Sequence, residues 1–344
     1  MTATQDESVS SDRDGTVEPP LVNRFLRPRT LVSFVLGIAI LGFAITQLHI
    51  DVSESLQVIG RANWIMYGGA VFVYYTLFIY RGTRWRVMLE NTGIPRAGLP
   101  SILGLGEIIY LSWFANSIVP AKLGDVYRAY LLRARSGVPF STGGGTIIAE
   151  RLLDVIILLG LLAVTGLLTF RGVLPASVVS AIAIGTGLVG IAVVGLIVAT
   201  RLHHHVRRIV PNRFVLIYDN LHAGTVGSFG SFPSLLALSL LSWASEVGRL
   251  YLVTQAIGVQ LSPNPVTNVV MVAFIAFAAA FLTAAPVTPG GLGVVDAGMV
   301  GALTLVGTPR SVGLSVLLLD RSITFGSVII GGLIAYVASH RHSK

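Results

Sequence analysis

Three short segments concentrate ionisable side chains inside an otherwise apolar sequence. In the first, VPAKLGDVYRAY (119–130), Lys122, Asp125 and Arg128 crowd around a break marked by Pro120 and Gly124, directly after the apolar run LGEIIYLSWFANSI. A proline frees the carbonyls before it, and the helix that resumes after it presents unpaired amides. Such a break can hold a polar group at membrane depth, provided protein or water surrounds it. A helix start near Leu123, with Lys122 and Arg128 beside it, favours a phosphate. Asp125 and Arg128, three residues apart, share a helical face and can pair. In the second segment, TIIAERLLDVIILLG, Glu150 and Asp154 lie four apart on one face, with Arg151 about 100° round from Glu150. The third, APVTPGGLGVVD, breaks at Pro286, Pro289, Gly290, Gly291 and Gly293 and ends on Asp296.

Further charges extend the pattern. Glu246 and Arg249 are three apart in SWASEVGRLY, Asp320 and Arg321 are adjacent in LLLDRSITF, and Glu107 sits in the apolar arm before the first break. Ionisable groups within apolar spans are costly, so they face a bundle interior or an aqueous cavity and pair with one another. For Glu150 and Asp154 the expected counter-charges are Lys122, Arg128 or Arg321. The chemistry these residues support is binding of a charged group rather than catalysis, since no nucleophile stands out and the spacings do not match a metal site. The plainer alternative is that they are ion pairs or snorkelling side chains that only hold helices together. Other motifs are weaker. TGGGT lacks the Lys-Ser/Thr of a phosphate-binding loop and reads as a flexible lead into a helix. The histidines at 203–205 read as part of a solvated loop rather than a metal centre. Trp64, Trp85 and Trp113 read as interface anchors or core rather than stacking platforms. No metal and no cofactor is expected.

The elements that position these residues must be membrane helices. Of 344 residues 53% are hydrophobic and 12% charged, and the mean hydropathy of +0.78 is far above that of a water-soluble domain. The net charge of +8 comes from basic residues beside apolar spans, where they act as orientation signals, so nucleic acid is not an expected partner. With no cysteine there is no disulfide or thiol chemistry. Residues 1–30 are polar and read as a disordered cytoplasmic tail, followed by a retained span rather than a signal peptide. The transmembrane domain is expected over 31–340. Full spans are expected at 31–50, 62–80, 146–170, 174–200, 233–258 and 311–339. Two segments, 100–132 and 265–306, read instead as helix, Pro/Gly break, helix.

Charge distribution arbitrates the topology. If both broken segments are re-entrant, about 16 Lys and Arg face the cytoplasm and about 3 (Arg61, Arg171, Arg310) face outside, with both termini cytoplasmic. The basic stretch RGTRWRVMLENTGIPRAG then lies on the cytoplasmic face. The two hairpins enter from opposite sides, the layout of inverted repeats. The expected fold is an all-α polytopic membrane bundle with two re-entrant broken-helix hairpins.

The segments NSIVPAKLGDVYRAYLL, ERLLD and PVTPGGLGVVDAG, in this order, make the sequence resemble the flippase-like transmembrane region of lysylphosphatidylglycerol synthases and its stand-alone relatives. The resemblance covers nearly all of 31–340. It implies movement of lipids with polar or charged head groups between leaflets, aminoacylated phosphatidylglycerol and polyprenyl-linked glycan pathways being associated with relatives. Asn116, Pro120, Gly124, Asp125 and Arg128 match the first family motif, Glu150, Arg151 and Asp154 the second, and Gly290, Gly291 and Gly293 the third. Asp296 stands where the family usually has Glu, which keeps the charge and shortens the reach. The soluble synthase domain has no counterpart in these residues, so lipid aminoacylation by this chain is not expected.

The expected function is therefore translocation of a membrane lipid in the cell membrane, with Lys122, Arg128, Arg151 and Arg321 attracting phosphate and Asp125, Glu150, Asp154 and Asp296 balancing them or binding an amine. Two alternatives stand beside it: an intramembrane enzyme acting on a lipid-linked phosphate, and a non-transporting assembly factor whose partners are envelope lipid or glycan biosynthesis proteins.

Overall fold

The computed structural model describes Thr46 and residues 51–118, 123–284 and 289–341. The expected tail at 1–30, the span at 31–50 apart from Thr46, and Pro120, Lys122 and Pro286 lie outside the described residues. In chain order the helices are α1 (Val52–Gly60), α2 (Trp64–Asn91), α3 (Ile102–Ile118), α4 (Leu123–Ser136), α5 (Phe140–Thr169), α6 (Ala176–Arg201), α7 (His203–Ile209), α8 (Asn212–Gly227), α9 (Phe232–Ala256), α10 (Pro265–Ala284), α11 (Val294–Leu305), α12 (Arg310–Arg321) and α13 (Val328–Arg341). A π-helical turn, Ser322–Ser327, joins the last two. There is no strand among the described residues. The bundle is all-α, as expected.

By length and composition, five helices among the described residues can cross a membrane, or six if α1 and α2, bent by 93°, form one span. Asp51 caps α1 by accepting the Glu54 amide, and Asn63 caps α2 by accepting the amides of Ile65 and Met66, so the bend falls between two ordinary helix starts. Both broken segments fold as hairpins, α3 on α4 and α10 on α11. The arms α3 and α11 are shorter than a span, whereas α10 is long enough to cross by itself.

Three local expectations are corrected. α2 continues to Asn91, well past the expected end at 80, because RGTRWRVMLEN keeps burying one face: Arg81, Arg84, Trp85, Met88 and Leu89 are all buried. The histidines at 203–205, read as part of a solvated loop, open the helix α7, and the α8 that follows packs on α5. TGGGT is not a flexible lead but lies inside α5. A Cβ at Gly145 would meet Leu221 O and sit 2.8 Å from Thr225 N, and one at Gly224 would meet Thr142 O, so these glycines let α5 and α8 cross at backbone contact. Gly82 and Gly106 do the same for α2 and α3.

Candidate functional site

The charged residues named from sequence converge, but not in the pairs their spacing suggests. Asp125 does not pair with Arg128. It accepts from Arg151 Nε at 3.1 Å and Nη2 at 2.9 Å, a two-point contact that ties the start of α4 to α5. Arg128 reaches Glu150 Oε2 at 2.8 Å, with its guanidinium 3.8 Å from the centroid of the buried Trp85 ring. Trp85 is thus core, and its indole N–H donates to Thr146.

Two arginines missed in the sequence complete this cluster. Arg84, fully buried on α2, contacts Glu150 Oε1 at 3.1 Å and donates to Asp154 at 2.5 and 3.1 Å. Arg81, one turn earlier, lies 3.3 Å from Asp154, 3.9 Å from Glu150, and 5.1 Å from the Trp113 ring centroid. Sequence reasoning assigned both to the cytoplasmic face because they follow an apolar run. The available signal was their spacing of three next to aromatic residues, which sets both on one helical face.

A second set of pairs echoes the first. Asp296 is the third residue of α11, as Asp125 is of α4. It accepts from Arg321 Nε at 2.5 Å, as Asp125 accepts from Arg151, and the two partners lie 25 and 26 residues downstream respectively. Each arginine follows an acid, Glu150 or Asp320, which pairs with an arginine on the helix before the hairpin: Arg84 on α2, Arg249 on α9. The cavity-facing positions repeat too, as Arg151, Asp154, Val155 and Leu158 on α5 and as Arg321 at the end of α12 with Thr324, Phe325 and Val328 after it. The chain is therefore built from two units of like order, α2 to α5 and α9 to α12. They differ where the second has the π turn, braced by Tyr67, Tyr75 and Tyr110 hydroxyls bonded to Ser322 and Ser327.

Between the units lies a cavity of about 490 Å³. Asn116, Asp125, Arg151, Asp154 and Arg321 line it, together with Arg81, and so do Gly290 and Gly291 from the second break. Leu158, Leu250, Ala276, Ala280, Val295 and Met299 add apolar surface to its lining. The breaks adjoin here, since a Cβ on Gly290 would lie 3.8 Å from Ser117 Cα. Gly290, Gly291 and Gly293 have φ of 59°, 74° and 82°, a turn only glycine makes without strain. It points the carbonyls of Gly290 and Gly291 at Arg321 Nη1 and Nη2, 3.0 and 3.5 Å away.

Not every expected site residue faces the cavity. Arg128, Glu150 and Asp296 are buried at 0%, 1% and 1% exposure behind its wall, each held in an ion pair: Asp296 also accepts the Gly293 amide at 2.8 Å, the half of a capping box that a glycine N-cap allows. They position the residues that do line it. Gly124 serves close approach. Its amide donates to Asn116 at 2.8 Å, and a Cβ there would meet Ser112 O. Gly124→Ala is expected to cost about 1 to 3 kcal/mol by overpacking the α3/α4 contact, measured by thermal unfolding in detergent. Loss of less than a few tenths would mean that the hairpin closes differently.

The charges on the cavity's two sides do not balance locally. On the first, Arg81, Arg84 and Arg128 share two carboxylates, Glu150 and Asp154. On the second, Arg249 alone serves Glu246, at 2.9 Å, and Asp320. One side carries a surplus positive charge and the other a surplus negative one, among the described residues.

Fold and site together define a polytopic helical membrane protein with a charged cavity at the junction of two broken hairpins. The chain belongs to the family of lysylphosphatidylglycerol synthase TM regions, which matches residues 30–332. It is similar to the glycosyltransferase AglD of Haloferax volcanii, 29% identical over 92% of this chain and 55% of the relative, so the chain spans little more than half of that protein. A UPF0104 membrane protein of Methanocaldococcus jannaschii is 30% identical over 67% of this chain and 95% of its own length. Another, from Methanothermobacter thermautotrophicus, is 26% identical over 82% of this chain and 86% of its own. No solved structure gives a significant match.

Proposed function

We propose that this membrane protein moves a lipid with a polar or charged head group, a phospholipid or a lipid-linked intermediate, between the two leaflets. The observation that carries the reading is the cavity, which is lined both by ion-paired side chains and by alanine, valine, leucine and methionine. A head group can lie against the ion pairs while its chains run along the apolar residues. Two like units meeting at broken helices favour this, since transporters built from inverted repeats place their sites at such junctions. In this reading the hairpins are re-entrant from opposite faces of the cell membrane, and both termini are cytoplasmic. A role beside envelope lipid or glycan biosynthesis proteins draws on the AglD relative, whose name describes a protein of which this chain spans 55%. The second reading is an intramembrane enzyme acting on a lipid-linked phosphate, and from that name it draws only that the relative is a glycosyltransferase.

Purified protein in liposomes separates these readings. Lipid that changes leaflet with unchanged mass supports translocation, and a mass-shifted product supports the enzyme. Topology is testable in this cysteine-free chain by single-cysteine labelling. His204→Cys and Arg133→Cys are expected to label from the cytoplasm, Arg61→Cys and Arg310→Cys from outside. Outside labelling at Arg133→Cys would contradict a re-entrant first hairpin.

A further inference from the structure

The surplus guanidinium on the first side has a consequence for what enters the cavity. Arg81, Arg84 and Arg128 are 5%, 0% and 0% exposed and have two carboxylates among them. Burying a cation without a full counter-charge is unfavourable, and the cost falls when an anion joins it. The hydrogen-bond count agrees with the charge count. Arg81 Nε, Arg84 Nε, and Arg128 Nε and Nη1 are buried donors with no partner. Against these donors stands one acceptor of the cluster without a hydrogen bond, Glu150 Oε1, 3.1 Å from Arg84 Nη2, so unpartnered donors outnumber acceptors among the described residues.

Of the three, Arg81 alone borders the cavity. Its carboxylate contacts, at 3.3 and 3.9 Å, are longer than those of Arg84 and Arg128, at 2.5 to 3.1 Å. Arg84 and Arg128 are therefore committed to Asp154 and Glu150, and the unspent charge resides on Arg81. Trp113, which also lines the cavity, lies 5.1 Å away, and while Arg81 Nη1 donates to Asp154 at 3.3 Å, Nε is left without a partner for an oxygen of an anion. Glu246 and Asp320 line the same cavity but form no ion pair with Arg81 among the described residues.

We propose that Arg81 and the Trp113 wall form a binding site for a phosphate oxyanion, which completes the charge of the Arg81, Arg84, Arg128 cluster. This deepens the lipid reading above and rests on it for the source of the phosphate. The site accepts the phosphodiester of a lipid head group whose chains lie along the apolar residues. Arg84 and Arg128 are positioning residues that hold Asp154 and Glu150 in closer contacts than either carboxylate makes with Arg81.

The test uses the full chain in an uncharged detergent, titrated calorimetrically with three probes: inorganic phosphate, dihexanoylphosphatidylglycerol below its micelle concentration, and dihexanoylglycerol as the uncharged control. The parental protein should bind dihexanoylphosphatidylglycerol more tightly than inorganic phosphate, and the control weakly. Arg81→Gln removes the surplus charge, so it should keep its melting temperature while weakening dihexanoylphosphatidylglycerol binding by about tenfold to a hundredfold, the range for one charge-assisted hydrogen bond. Asp154→Asn enlarges the surplus and should bind more tightly than the parent. Parental affinity in folded Arg81→Gln would overturn the site. So would failure of Arg81→Gln to fold, because Arg81 would then be needed for pairing, or weaker binding by Asp154→Asn. Equal binding of inorganic phosphate and the phospholipid, both lost in Arg81→Gln, would support the anion site and overturn the lipid as its source. Phospholipid binding without leaflet exchange in liposomes would support the site and overturn translocation.

Discussion

Glu150→Gln is expected to lower stability by about 3 to 5 kcal/mol, the cost of breaking a buried ion pair by removing one partner. Glu150 is 1% exposed and joins two arginines on different helices, Arg84 of α2 and Arg128 of α4. Without its charge the cluster would hold three guanidiniums against Asp154 alone. Repulsion would then act between α2 and α4, both packed on α5. Glutamine keeps the volume, so the loss would report charge rather than a cavity. Thermal unfolding in detergent, compared with Glu107→Gln at the exposed pair with Arg135, checks this. The exposed pair should cost no more than about 1 kcal/mol. Equal losses at the two positions would show that Glu150 does not hold the cluster together.

Arg249→Gln should have a comparable effect for the opposite reason. Arg249 is the single described cation in ion-pair contact with Glu246 and Asp320, so its loss leaves two carboxylates facing each other at the junction of α9 and α12. The expected cost is about 3 to 5 kcal/mol. Pairing it with Asp320→Asn should restore much of the loss, because one carboxylate then remains instead of two. A double variant as unstable as Arg249→Gln would mean that Arg249 acts by packing on Tyr74, whose ring centroid lies 5.7 Å from its guanidinium, rather than by charge.

The broken hairpins were legible in the sequence because proline and glycine interrupt apolar runs whose lengths fix where a helix must stop. The gathering of Asp125, Arg151, Asp154 and Arg321 at one cavity followed from the cost of leaving charge in an apolar bundle. Which charge pairs with which was not legible. Asp125 and Arg128 share a helical face, yet hairpin packing turns Asp125 to Arg151 and Arg128 to Glu150, partners whose distances depend on how helices cross. Arg81 and Arg84 were hidden for another reason: arginines after an apolar run look like orientation signals, and only the extension of α2 past residue 80 shows that they are buried. The likeness of the two units was visible as matching breaks, but the matching Asp to Arg ties that define it needed coordinates.

Blocking the cavity decides whether a head group passes through it. Ala280 lines the cavity and belongs to neither charged cluster. Leaflet exchange of a tail-labelled phosphatidylglycerol should be followed in liposomes containing the parental protein, Ala280→Trp, or no protein, with quenching applied from outside. The parental protein is expected to exchange the lipid well above the protein-free rate, and correctly folded Ala280→Trp at that rate. Exchange by Ala280→Trp at the parental rate, or a parental rate equal to that of protein-free vesicles, would contradict passage through the cavity.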